Sequence, residues 1–175
     1  RVVGEFGRID ILVNSAGTQA RHPSLEFPED DWDTVMTVNL KTVMFLSQAA
    51  ARHFAGHGGG KIINVASALS FQGGFTVPAY TASKHGVLGV TRCLGNEFAA
   101  MNINVNAIAP GYMLTDMCAP LAADPVRGPA ILSRIPADRW GTPEDLKGAV
   151  VFLASDASAY CHGCVLVVDG GWLNR

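Results

Sequence analysis

The chain has 175 residues, 49% of them hydrophobic and 16% charged, with a formal net charge of −2. That balance suits a single domain with a sizeable core and excludes disorder. It carries no basic run and no apolar stretch of the roughly 18 residues a membrane span needs, so nucleic acid and membrane are not expected partners.

At the start, Arg1–Asp10 lacks the charged, apolar and small-residue order of a signal peptide. Ile9–Asn14 (IDILVN) is a short, nearly continuous apolar run, which predicts a strand buried on both faces of a parallel sheet. Just past it, Ala16 and Gly17 leave room for a flat ligand to approach the backbone. A helix is predicted from Asp31 to Phe54, opened by Glu29, Asp30 and Asp31 at the positive end of its dipole and stopped by GHGGG. Gly56–Lys61 (GHGGGK) is not a phosphate loop: Ala55 stands where the first glycine belongs, Ile62 follows the lysine, and the segment precedes a strand.

Lys61–Ala66 predicts the next strand, with Ser67 at its carboxyl end. A second helix is expected from Ala79 to Met101, and it places Tyr80 and Lys84 on one face at i and i+4. A lysine ammonium near a tyrosine favours the phenolate and lowers its pKa, which makes an acid/base group for alcohol–ketone chemistry. Ser67 would hold the substrate oxygen. By spacing alone, the Tyr80–Lys84 pair is more often a solvated helix face.

Asn104–Ala109 and Cys164–Asp169 predict the remaining strands. The irregular stretch from Gly111 to Trp140 between them is long enough for a lid or binding loop. Thr142, Pro143, Glu144 and Asp145 form an N-cap, N1 and acidic first turn for a helix reaching Ala154. Cys161 and Cys164 form a C-x-x-C leading into a strand, with neither a second pair for zinc nor the histidine of a haem site. No metal site is expected, and four unpaired thiols suit a reducing cytoplasm. Strands alternating with helices predict a three-layer α/β/α sandwich around a parallel sheet, with ligands bound beyond the strands' carboxyl ends.

NSAG at Asn14–Gly17, Asn39 within VNL, Ser67 thirteen positions before Tyr80, Tyr80-x-x-x-Lys84 and NAIAPGYMLTD together resemble the short-chain dehydrogenase/reductase family, in that family's order and across essentially the whole chain. The resemblance implies an NAD(P)-dependent oxidoreductase on the C-terminal part of a doubly wound, Rossmann-type sheet. It implies that Tyr80 is the acid/base, that Lys84 lowers its pKa and binds the nicotinamide ribose, and that Ser67 orients the carbonyl. The backbone of Asn39 would hold a water linking Lys84 to solvent. Asn14, Ala16 and Gly17 would line the cofactor, and Pro110, Gly111, Met113 and Thr115 would surround the nicotinamide. RIPADRWGTPEDL and VVDGGW resemble the branch acting on sugar acids, usually with NAD, though gluconate-type and oxoacyl reductases share much of the pattern.

The sequence departs from the family in two places. Ser15 stands where the family usually has a second asparagine, and no glycine-rich turn precedes Ile9. The pyrophosphate site and the NAD/NADP selector are therefore expected outside this catalytic half, with an exposed edge at the first strand and weak or absent cofactor binding by these residues alone. The resemblance also implies a homo-oligomer, with the two long helices building a dimer contact and the C-terminal VVDGGW region joining a tetramer. A non-catalytic interaction module built on those helices is the alternative reading.

Overall fold

The structure, a computed structural model, describes residues 1–175. The elements run α1 (Val2–Phe6), β1 (Ile11–Asn14), α2 (Glu29–Met36), α3 (Thr42–Ala55), β2 (Gly60–Val65), α4 (Pro78–Phe98), β3 (Ile103–Pro110), α5 (Ala119–Ala122), α6 (Arg127–Leu132), α7 (Lys147–Ala154) and β4 (Val165–Val168). The strands form one parallel sheet in the order β1-β2-β3-β4. No helix is long and apolar enough to cross a membrane.

Alternation along each strand builds the layers. Ile62, Val105 and Ala107 face α3 and α4, where they meet Phe54, Val87 and Leu94. Ile63 and Ile108 face the other way, onto Ala149 and Leu153 of α7. The central strand β3 is therefore buried almost throughout, as its apolar run predicts. β1 has a strand partner on one side only, and its Ile11 and Val13 are 42% and 40% exposed. It forms the open edge expected at that strand.

The turns follow from local chemistry. Gly58 and Gly59 have positive φ after α3, and a Cβ on Gly59 would stand 2.1 Å from the Asn102 carbonyl oxygen. The same carbonyl accepts the Gly60 N–H, and the Asn102 side chain donates to the Gly58 carbonyl at 2.7 Å. The turn into β2 is thereby locked to the turn into β3.

Three expectations change in detail. The helix predicted over 31–54 begins at Glu29 and contains a π turn at Thr37–Lys41, centred on buried Asn39. The helix after Thr142 opens with a 3₁₀ turn at Pro143–Leu146, and only from Lys147 is it α-helical. There the Arg139 guanidinium makes a two-pronged contact with Asp145, at 2.8 and 2.7 Å, and holds that carboxyl below the usual range. The stretch from Gly111 to Trp140 is not wholly irregular, because α5 and α6 lie within it.

Candidate active site

Three loops meet beyond the carboxyl ends of β1, β2 and β3, where ligands bind in sheets of this kind. Ser67 leads β2 into a 3₁₀ turn, and its hydroxyl accepts the Leu69 N–H at 3.1 Å. The Ser70 hydroxyl accepts the Ser67 N–H at 3.2 Å and donates to the Lys84 carbonyl at 2.8 Å, fastening this loop to α4. Pro78 starts α4, so Tyr80 lies in its first turn and Lys84 one turn on.

Asn39 is fully buried, and its side chain is completely engaged. Its Oδ1 accepts the Thr18 N–H at 2.9 Å, and its Nδ2 donates to the Thr18 carbonyl at 2.9 Å and to Ser83 Oγ at 3.1 Å. Ser83 in turn donates to the Tyr80 carbonyl at 2.8 Å. Asn39 thus ties the loop after β1 to the first turn of α4, with the π turn as its seat. Π turns inside helices are frequent at functional sites because they redirect a side chain and disturb the backbone ladder.

The Lys84 Nζ lies 5.6 Å from the Tyr80 ring centroid and donates to the Val65 carbonyl at 2.6 Å. Burial lowers its pKa to about 8, because desolvation penalises the ammonium. Tyr80 behaves differently from the expectation that Lys84 lowers its pKa. Burial raises the phenol above its ordinary value, nearby Ser67 partly offsets the rise, and Cys118 adds to it. The lysine does not reverse this, since its ammonium is drawn to the Val65 carbonyl beneath the ring. Ser67 influences the phenol by proximity, while its closest hydrogen bond is to Leu69. In this protein alone, the pair is a partly buried neutral acid above a buried cation.

Beside that cation, Gly17 leaves room for a ligand. A Cβ there would stand 3.8 Å from Lys84 Nζ and 3.6 Å from Asn39 Oδ1. Lys84 has three ammonium protons and one acceptor among these residues, Val65. A cation with spare donors next to an unobstructed backbone fits the hydroxyls of a nicotinamide ribose.

Ser67 and Tyr80 line one wall of a cavity of about 720 Å³. The same cavity is lined by Tyr112, Cys118, Trp172 and the arginines Arg127 and Arg134, with Arg21 contributed by the loop after β1. Gly111 also lines it, while Pro110 ends β3. Met113 is buried and bridges to Gly141, and Thr115 is exposed, its carbonyl accepting from Cys118 and Ala119. Ala16 is exposed in the loop after β1. Asn14 is buried within the sheet, where its side chain donates to Ser47 at 3.1 Å and Asn64 at 2.8 Å. Sequence reasoning missed Ser70, Ser83 and the arginines. The one signal for the arginines was three such side chains in or near ligand-facing segments of a charge-poor chain.

A parallel α/β sheet that presents a partly buried tyrosine over a lysine at its carboxyl edge defines a dehydrogenase-type enzyme. Residues 1–173 match the family model described as enoyl-(acyl carrier protein) reductase. The chain is 63% identical to 2-dehydro-3-deoxy-D-gluconate 5-dehydrogenase of Escherichia coli (strain K12), over 100% of this chain and 70% of that one. It is 58% identical to a solved Agrobacterium tumefaciens protein with bound NADP, assigned as a 2-deoxy-D-gluconate 3-dehydrogenase, with a TM-score of 0.93 over 95% of this chain and 68% of that one. A gluconate 5-dehydrogenase from Burkholderia cenocepacia, solved with NADP and tartrate, is 41% identical, with a TM-score of 0.97 over 99% of this chain and 68% of that one. The chain belongs to the short-chain dehydrogenase/reductase family and is an NAD(P)-dependent oxidoreductase.

Proposed function

We propose that this protein interconverts a secondary alcohol and a ketone on a sugar acid, with Tyr80 as acid/base, Ser67 as the orienter of the reacting oxygen and Lys84 as the cation beneath. The observation that carries this reading is the convergence of Ser67 and Tyr80 on one cavity wall above buried Lys84. The relatives' sugar-acid substrates and the tartrate bound in one of them support the substrate class.

A bound nicotinamide dinucleotide, NAD or NADP, supplies or accepts the hydride. In reduction, the Ser67 hydroxyl donates to the substrate carbonyl and Tyr80 delivers a proton to the same oxygen. Burial suits this direction, because it keeps the phenol protonated at neutral pH. In oxidation Tyr80 must first lose that proton, so oxidation rises with pH. Lys84, charged below about pH 8, supports the phenolate as it forms. The spare donors of Lys84 hold the ribose, with Gly17 giving room, and Asn39 keeps both segments in register. Ala16, Gly111 and Thr115 flank this space, and Asn14, Pro110 and Met113 brace the strands and loops that form it.

These residues would act as the catalytic half of a larger dinucleotide-binding domain, a reading supported by the 70% share of the E. coli relative they span. Four free cysteines favour a reducing cytoplasm. Exposed Phe45 and Leu46 on α3 favour a homo-oligomer.

The test is a panel of 2-dehydro-3-deoxy-D-gluconate, 2-deoxy-D-gluconate, D-gluconate and a 3-oxoacyl thioester, each with both nicotinamide cofactors, using the full-length protein. The expected result is a kcat/KM for one sugar acid at least ~100-fold above that for the thioester. Preferential turnover of the thioester would overturn the reading.

A further inference from the structure

We propose that Arg127, Arg134 and Arg21 form a carboxylate-binding wall that sets the preference of this enzyme for acids over neutral sugars and turns the uncharged end of the substrate toward Ser67 and Tyr80. This assignment rests on the sugar-acid reading above and adds the residues that would enforce it.

The charge balance of the cavity is lopsided. Its lining contains these three arginines and no aspartate or glutamate, although the whole chain has a net charge of −2. Three like charges around one cavity repel one another, and Arg127 makes Arg21 easier to deprotonate, second to burial as a cause. An anion between them removes that repulsion.

The guanidinium groups are also underused. Arg127 and Arg134 make no side-chain hydrogen bond and no ion pair. Asp124 is close to Arg127 in sequence, but its Oδ1 accepts the backbone N–H groups of Val126 and Arg127, at 2.9 and 2.7 Å. Arg21 uses one nitrogen, which donates to the Phe75 carbonyl at 2.8 Å and to Thr76 Oγ1 at 3.0 Å. That leaves the rest of its fork free.

An aromatic ring holds Arg134 in place. The Arg134 guanidinium lies 4.0 Å over Trp172, whose indole N–H donates to Gln72 at 2.8 Å. Tyr112 packs edge-on against Trp172 at 4.7 Å and is within electrostatic reach of all three arginines. A stacked guanidinium keeps its edge donors in a fixed plane, and that planar fork matches a carboxylate. Apart from the arginines the cavity is lined by uncharged groups, the hydroxyls of Ser67 and Tyr80 among them. A substrate charged at one end therefore has one favourable orientation.

The test compares kcat and KM for the preferred sugar acid and for its methyl ester, in the full-length protein and in its Arg127→Gln, Arg134→Met and double variants. Arg134→Met keeps an apolar stem over Trp172. Calorimetric binding of D-gluconate against D-glucose and inorganic phosphate accompanies the kinetics. The expected result is a KM for the acid raised ~10-fold by each substitution and ~100-fold by both, with kcat changed less than ~3-fold. The acid-to-ester ratio of kcat/KM should fall accordingly, and Arg127→Lys should recover part of the loss. Gluconate should bind more tightly than glucose and phosphate, and the double variant should lose that margin. An unchanged acid-to-ester ratio, an altered cofactor KM in place of the substrate KM, or phosphate binding above gluconate would each overturn the proposal. If no sugar acid is turned over, the sugar-acid reading fails, and the gluconate, glucose and phosphate binding still decides whether the arginines select a carboxylate.

Discussion

The two walls of the cavity are built on opposite principles. The Ser67–Tyr80–Lys84 wall hangs from β2 and α4, and Asn39, Ser70 and Ser83 behind it are buried and bonded within the protein. The arginine wall rides on short α6 and its flanking turns, and Arg127 and Arg134 are exposed with free donors. Proton transfer needs atoms held to a fraction of an ångström, which saturated buried networks provide. Recognition of a charged end needs donors waiting for a partner, and exposure keeps them hydrated until one arrives.

The sharpest break in this contrast is Tyr80→Phe, which removes one hydroxyl from the buried wall and leaves its packing. Turnover should fall about 10²–10⁴-fold while the melting temperature stays within a few degrees, as seen by steady-state kinetics and thermal unfolding. An equal loss from Arg134→Met would erase the distinction.

Lys84 gives the next largest effect, in stability against pH. Its folded pKa of about 8 lies below the ordinary 10.5, so between these values the unfolded chain binds more protons and stability rises with pH. The rise is worth up to about 3 kcal/mol. The unfolding free energy of wild type, from urea titration, should rise by that amount relative to Lys84→Met from pH 8 to 10.5. Parallel curves would show that the amine is not desolvated.

Asn39→Ala leaves the Thr18 backbone groups and Ser83 without their partner. It should cost about 1–3 kcal/mol, read as a lower urea midpoint together with reduced turnover. Lost turnover at unchanged stability would mean that Asn39 acts on the chemistry directly and does not work as a tie. On the other wall, Arg134→Met should cost only about 0.5–1 kcal/mol, the scale of an exposed guanidinium stacked on an indole. A larger loss would make that wall structural.

Composition and local order were sufficient for the frame. The apolar runs at Ile9, Lys61, Asn104 and Cys164 each became a strand within two residues of the expected bounds. Burial on both faces accounts for the apolar run of β3, whereas β1, expected to be buried on both faces, leaves Ile11 and Val13 exposed because it lies at the sheet edge. Ser67, Tyr80 and Lys84 were legible as a set because a helical turn fixes the last two and the end of a strand positions the first. Other features were not written locally. The π turn at Asn39 follows from the partners its side chain finds at Thr18 and Ser83, far along the chain. The elevated pKa of Tyr80 follows from burial, which no i,i+4 spacing reports.

The sequence by itself determined the parallel sheet, the grouping of Ser67, Tyr80 and Lys84 and the family, since all three depend on patterns within a few residues or on their order along the chain. Only the tertiary structure decided which charges share a cavity. Arg21 meets Arg127 and Arg134 because the loop after β1 and the segment around α6 converge over the same sheet edge. Electrostatic reach is set by distance through space, which the order of residues does not encode.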